Sequence, residues 1–290
     1  MTENDRPRFG PAGNSEEFYA SGRKATVQAP EWLAATGLDA YEFQAGNGLR
    51  TSDATLTAIG GQARRYGIAL SLHTPYFISL SGVDPEKRLG SIRYITESLR
   101  AAELLGADVI VVHTGSAAKI SRAEAMELAA DTLRRTLAEA GNSAVRIGLE
   151  TMGKKNQLGT LDEVLQLCAI DPRLVPVVDF GHLNARECGG VFPDADAYRR
   201  VFARIADALG DRAARSLHCH FSRIEFTAAG EKRHLTFDGD PEGYGPDFAP
   251  LAEVIVRDGL CPRIICESAG TQSQDARTMK ELCGRCRAGN

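Results

Sequence analysis

Six histidines are spread along the 290 residues, and five of them, His73, His113, His182, His218 and His220, stand at or just past the carboxyl half of a short apolar run. The sixth, His234, follows a long loop. Glu150 and Glu267 close the apolar runs "RIGL" and "RIIC", and Asp179 closes "VPVV". Carboxylates behind strongly apolar runs are costly to bury unless they are paired or bound to a metal. Imidazole and carboxylate together are the donor set of zinc, with manganese or iron as substitutes. This many ligands on separate segments can hold two or three ions, which a lone histidine at a strand end does not suggest.

The apolar runs read as strands. They are "YEFQ" (41–44), "IALSLHT" (68–74), "VIVVHTG" (109–115), "RIGLET" (146–151), "VPVVDFGH" (175–182), "SLHCHFS" (216–222) and "RIICESA" (263–269), with "RFGP" (8–11) as a weaker candidate. Between them the apolar period turns helical. Ser121 to Glu124 and Thr160 to Glu163 have the spacing of capping boxes, and Met126, Ala129, Leu133 and Leu137 fall on one face before a stop at Gly141. Tyr198, Val201, Ile205 and Leu209 form the apolar face of another helix. Eight strands alternating with helices, with no linker or low-complexity break, predict one (β/α)8 TIM barrel of the α/β class over residues 1–290. Its core spans about 8–270 and residues 271–290 form a terminal helix or tail. In such a barrel the carboxyl ends of the strands converge on the face where barrel enzymes carry their chemistry.

Composition narrows the function. The chain is 43% hydrophobic and 25% charged with a formal net charge of −4, so it can bury a large core but has no global basic signature. The amino terminus "MTENDRPRFG" lacks an apolar targeting segment, and no run approaches the ~18 apolar residues of a spanning helix. A cytoplasmic protein with no membrane partner is expected, and a monomer. Seven cysteines scattered through apolar and polar segments do not form a disulfide framework. Cys283 and Cys286 have CxxC spacing, but the pair stands alone.

The successive segments "SLHTPYFISLSG", "VVHTGS", "GLETMGKKNQLGT", "VVDFGHLNAR", "HFSRIEFTAAGEKRH" and "IICESAG" resemble, in order and spacing, the motifs of the endonuclease IV family of apurinic/apyrimidinic endonucleases, within the xylose-isomerase-like barrel superfamily. The resemblance runs from about Arg8 to Glu267. It implies a centre of two or three zinc ions. His73 and His113 would bind one ion, with Glu150 bridging to a second. Asp179, His220 and Glu267 would complete the second ion's shell, and His182 and His234 would hold a third. His218, on the same strand face as His220, is a ligand or a group behind one. Tyr76 and Phe77 match the pair that wedges into the duplex at the damaged nucleotide, Arg50 and Arg233 are expected DNA contacts, and Lys154, Lys155, Arg223 and Lys232 are basic candidates near the mouth. Two departures stand out. Lys232-Arg233-His234 replaces an Asp-Arg-His triplet, leaving Glu231 as the substitute carboxylate, and Ser222, Arg223 and Glu225 replace an Asn-Asp run.

The implied reaction is hydrolysis of the DNA backbone 5′ to an abasic site, a step in base excision repair, with damaged double-stranded DNA as partner and Glu150, Asp179 and Glu267 as the catalytic carboxylates. Closely spaced divalent ions suit phosphodiester chemistry without a side-chain nucleophile. The alternative on the same scaffold is a sugar isomerase or epimerase, which needs about four ligands around one metal.

Overall fold

The computed structural model describes residues 6–288. Eight strands run parallel: β1 (Arg8–Pro11), β2 (Ala40–Gln44), β3 (Ala69–His73), β4 (Val109–His113), β5 (Arg146–Glu150), β6 (Leu174–Asp179) and β7 (His218–Phe221), followed, after a separate hairpin of β8 (Arg223–Thr227) and β9 (Gly230–Leu235), by β10 (Arg263–Cys266). Their order is β1-β10-β7-β6-β5-β4-β3-β2. Between β1 and β2 the ring is closed by a parallel bridge from Ala12 to Glu42 and by the bond from Gly13 N to Glu42 O at 2.9 Å. Gly10 permits that approach, because a Cβ there would collide with the Ala40 carbonyl. The expected single-domain TIM barrel is what the chain adopts, and all eight expected strands are present within one or two residues except β6 and β10, which each stop three residues earlier.

The helices between the strands start where local chemistry starts them. Thr160 caps Leu161–Cys168 with a complete capping box, in which Glu163 returns to the Thr160 backbone. Ser121 caps Arg122–Glu139 with its hydroxyl alone, so the reciprocal half of the expected box is missing. Strands covered on both sides explain their near-continuous apolar character.

Two segments differ from the sequence expectation. Residues 180–182, expected as the end of a strand, open a short helix, Phe180–Arg186. Asp179 causes the switch, since its Oδ1 accepts the His182 backbone N–H at 2.7 Å and caps the first turn. Phe180 then anchors the helix in a fully buried aromatic cluster with Phe192, Tyr198, Phe202 and Phe221, a burial that contributes about 1.5–3 kcal/mol. The second difference is His234, expected beyond a loop, which lies on β9 of the antiparallel hairpin that stands over the barrel mouth.

Candidate metal centre

The carboxyl ends of β3, β4, β5, β6, β7 and β10 converge, and with the hairpin they bring nine side chains into three contiguous groups. In each group one ligand atom per residue lies within 4.8 Å of the others: His73, His113 and Glu150; Glu150, Asp179, His220 and Glu267; His182, Glu231 and His234. Glu150 belongs to two of them. Its oxygens lie 3.5 Å from His73 Nε2, 3.2 Å from His113 Nε2, 3.4 Å from His182 Nδ1 and 3.1 Å from His220 Nδ1. Five of the nine, His73, Glu150, Asp179, His182 and His220, are buried.

Most of the imidazoles are oriented from behind. A carbonyl can only accept, so the bonds of His73 Nδ1 to Thr74 O and of His182 Nδ1 to Thr151 O, both 2.9 Å, fix those protons on Nδ1 and leave Nε2 facing the carboxylates. His234 Nδ1 is held by Ser222 Oγ at 2.7 Å, and its Nε2 faces Glu231. Ser222, which the sequence presented only as a departure, thus has a place in the centre.

The donor set fits divalent cations. Four carboxylates converge, and Glu150 Oε2 and Asp179 Oδ2 are buried without a hydrogen-bond partner. Such oxygens are costly to bury unless a cation or proton meets them. Burial opposes charge on Glu150, but the charge of His220 and the close imidazoles of His113 and His182 outweigh it and hold the carboxyl well below its ordinary range. Glu267 is held at about 2, against the effect of burial, chiefly by His220. Asp179 is pushed up to about 6, first by burial and further by Glu267 and Glu150, despite the opposing charge of His182. His73, His182 and His220 are raised in spite of burial, by Glu150, Asp179 and Glu42 respectively. A pocket that draws its own imidazoles toward protonation has an excess of negative charge.

The third group settles which carboxylate stands beside His234. Lys232, at the position where the resemblance expects one, points away and pairs with Glu225 at 2.5 Å, as does Arg233 at 2.6 Å. Glu231 lies 3.5 Å from His182 Nε2 and 3.9 Å from His234 Nε2. A register shift between Glu225 and Phe226 makes this work, because Glu225 pairs with Arg233 and Phe226 with Glu231. The extra residue breaks the two-residue period and turns Glu231 and His234, three apart, to the same side. The two departures in the sequence therefore answer each other across one bulge.

A cavity of about 810 Å3 opens over the groups, lined among others by Tyr76, Gly46, Asn47, Lys154 and Gln157. Tyr76 is 56% exposed, its ring 5.1 Å from that of His73 and 5.5 Å from that of His113. Gly46 leaves room for that ring, since a Cβ there would run into it. Phe77, equally exposed, leans instead on Tyr94. Of the expected basic contacts, Lys154 lines the cavity and Arg50 is exposed at its side of the barrel. Lys155 contacts Cys188 Sγ, while Arg223 pairs with Asp247, and Lys232 and Arg233 share the single carboxylate of Glu225. Arg186, passed over in the sequence, holds the loop carrying Lys154 and Lys155 through carbonyls of Met152, Lys154, Lys155 and Gln157.

His218 stands one layer below His220 and outside the three groups. With His220 it meets Glu42, a buried residue of β2 that nothing in its segment marked as special. All seven cysteines are free thiols, and none belongs to a ligand group among the described residues; Cys283 and Cys286 sit on the terminal helix Gln272–Ala288.

Comparisons with known proteins bear on the family and the fold. Over 209 residues the chain is 34% identical to an uncharacterized protein of Methanocaldococcus jannaschii, covering 71% of this chain and 74% of the relative. It is 28% identical over 165 residues to a probable endonuclease 4 of Acholeplasma laidlawii, covering 56% of this chain and 55% of that one, so the match spans about half of that relative. Among solved structures, endonuclease IV of Thermus thermophilus superposes with a TM-score of 0.69 at 19% identity, over 98% of this chain and 100% of the other. A D-tagatose 3-epimerase-like protein does so at 0.70 and 19% identity, over 96% of each. These two structures share the fold, which serves both chemistries. The family model of the xylose isomerase-like TIM barrel matches residues 30–287, and the chain belongs to that family.

Proposed function

We propose that the protein is a metal-dependent endonuclease that hydrolyses the DNA phosphodiester 5′ to an abasic site and leaves a 3′-hydroxyl. The observation that carries this reading is the extent of the donor set: nine residues in three adjoining groups, two of which share Glu150. A sugar epimerase needs one ion and about four ligands, and would leave the group of His182, Glu231 and His234 without a use. The curated relatives named probable endonuclease 4 favour the same side.

A divalent-cation centre, when bound, supplies a nucleophile from water near neutral pH and neutralises charge that builds on phosphate oxygens. The side chains of the protein do the rest. His73, His113 and Glu150 would hold one cation, Glu150 with Asp179, His220 and Glu267 a second, and His182, Glu231 and His234 a third; zinc suits these donors best. Asp179 divides its work, with Oδ1 capping the helix that presents His182 and Oδ2 free for the centre. Lys154, at the rim, would hold a flanking phosphate. Tyr76 offers an exposed ring to the gap that a missing base leaves, and the cavity of about 810 Å3 accommodates a nucleotide extruded from the stack. Extrusion is cheapest for a nucleotide with no base to unpair, which gives selectivity for the lesion without reading sequence.

The test is metal content per chain of protein purified without chelator, run beside cleavage of a duplex carrying one abasic-site analogue. Two or three equivalents with incision 5′ to the analogue is the expected result. One equivalent with no incision, and turnover of a ketose instead, would overturn the reading in favour of the epimerase.

A further inference from the structure

Glu42 lies in the middle of β2 with its side chain wholly inside the barrel. Its Oε2 accepts the Ser71 hydroxyl at 2.9 Å and lies 3.0 Å from His218 Nε2 and 3.3 Å from His220 Nε2. Its Oε1 is 3.1 Å from the same His220 Nε2 and accepts Gln44 Nε2 at 3.3 Å. The other nitrogen of His220, Nδ1, faces the opposite way, 3.1 Å from Glu150 and 3.5 Å from Glu267. His220 is therefore clamped between Glu150 and Glu267 at the candidate metal centre and the single carboxylate of Glu42 beneath it.

An imidazole that turns a bare Nδ1 toward a cation carries its proton on Nε2, and a buried Nε2–H needs an acceptor. We propose that Glu42 is the positioning residue of His220: it accepts the Nε2 proton and fixes the tautomer and ring plane so that Nδ1 is aimed at the group of Glu150, Asp179 and Glu267. Ser71 from the adjacent strand β3 and His218 from β7, across the barrel interior, hold Glu42 in place. A cation bound by Glu42, His218 and His220 themselves is the competing arrangement, since their ligand atoms also lie within 4.8 Å. Both Glu42 oxygens, however, are already engaged by hydrogen bonds, unlike the unpartnered oxygens of Glu150 and Asp179. The proposal rests on the reading of the upper group as a divalent-cation site.

The test begins with the wild-type protein, labelled with 15N-histidine and loaded with zinc. Correlation spectra across the imidazole ring are expected to show His220 protonated at Nε2 and bound through Nδ1, the assignment being made by loss of its signals in His220→Gln. A proton on Nδ1, or zinc at Nε2, overturns the proposal and supports the competing site. Two variants follow, with zinc affinity measured by chelator competition. Glu42→Leu removes the acceptor and is expected to weaken the affected ion about 10- to 100-fold, while Glu42→Gln, which retains one acceptor oxygen, recovers most of that loss. Unchanged zinc affinity in Glu42→Leu overturns the positioning role. If the wild type takes up no divalent cation, the metal-centre reading itself falls, an outcome seen before any variant is made.

Discussion

Replacing Glu231 by glutamine tests the third group of ligands against the neighbouring residue that the sequence pattern put in its place. Glu231 is 15% exposed and faces His182 Nε2 at 3.5 Å and His234 Nε2 at 3.9 Å. Removing one unit of negative charge about 4 Å from a cation costs about 4 kcal/mol at an effective dielectric of about 20. At about 1.4 kcal/mol per decade, that is nearly a 1000-fold loss of affinity for the ion held there. Lys232→Ala, by contrast, breaks only an ion pair on the outer face with Glu225, worth about 1 kcal/mol or less. Titration of metal-free protein with zinc against a competing chelator separates the two. Glu231→Gln is expected to lose one equivalent at a free zinc level that saturates the wild type, with the remaining equivalents unchanged, and Lys232→Ala is expected to retain them all. Full occupancy in Glu231→Gln with affinity within about threefold of wild type, or loss of an ion in Lys232→Ala, would refute the argument from the bulge.

Glu150→Gln should leave the circular dichroism spectrum of the metal-free protein intact and abolish incision of an abasic duplex; wild-type turnover would remove Glu150 from its shared position. Tyr76→Ala should weaken binding to the abasic duplex about 5- to 150-fold, since ring stacking is worth about 1–3 kcal/mol, with metal content unchanged and Tyr76→Phe behaving like wild type. Equal affinity for the duplex would end the wedge assignment. At the opposite end of the barrel, burial opposes ionisation of Asp108, but Arg263 at 2.7 Å and Arg146 at 3.0 Å hold its carboxyl at about 2. A depressed carboxyl stabilises the fold above its unfolded value, near 4, and loses that contribution as pH falls through the folded value. Its side chain is half-exposed, so screening limits the effect to about 1 kcal/mol. Unfolding free energies from urea titration of metal-free wild type and Asp108→Asn should differ by that amount at pH 6, and by about half of it near pH 3; a gap independent of pH would contradict the assignment.

The local elements and the ligand-bearing strand ends are legible along the chain alone. Strand runs such as "VIVVH" and "RIGLE" are apolar on both faces because helices cover them, so they are visible without any knowledge of the partners. Thr160 and Glu163 mark a helix start through bonds that span only three residues. The histidines and carboxylates at strand ends are conspicuous because polar ligands after apolar runs violate the pattern around them.

What depended on residues distant in the chain was legible only in three dimensions. Glu42 reads as one more residue of "AYEFQ", and its meeting with His218 and His220 exists because β2 and β7 face each other across the barrel interior, 176 and 178 residues apart. Glu231 is legible in the sequence only as a substitute one position from the expected carboxylate, and the bulge at Glu225 and Phe226 decides that it faces His182 and His234 while Lys232 turns to Glu225. Asp179 ends a strand and starts a helix with the same carboxyl, a switch hidden because Phe180 resumes the apolar run of "VPVV" directly after it. Periodicity fixes whether a segment is strand or helix, since those bonds are local, whereas register, closure and bulges follow from packing against remote segments and decide which side chains share a site.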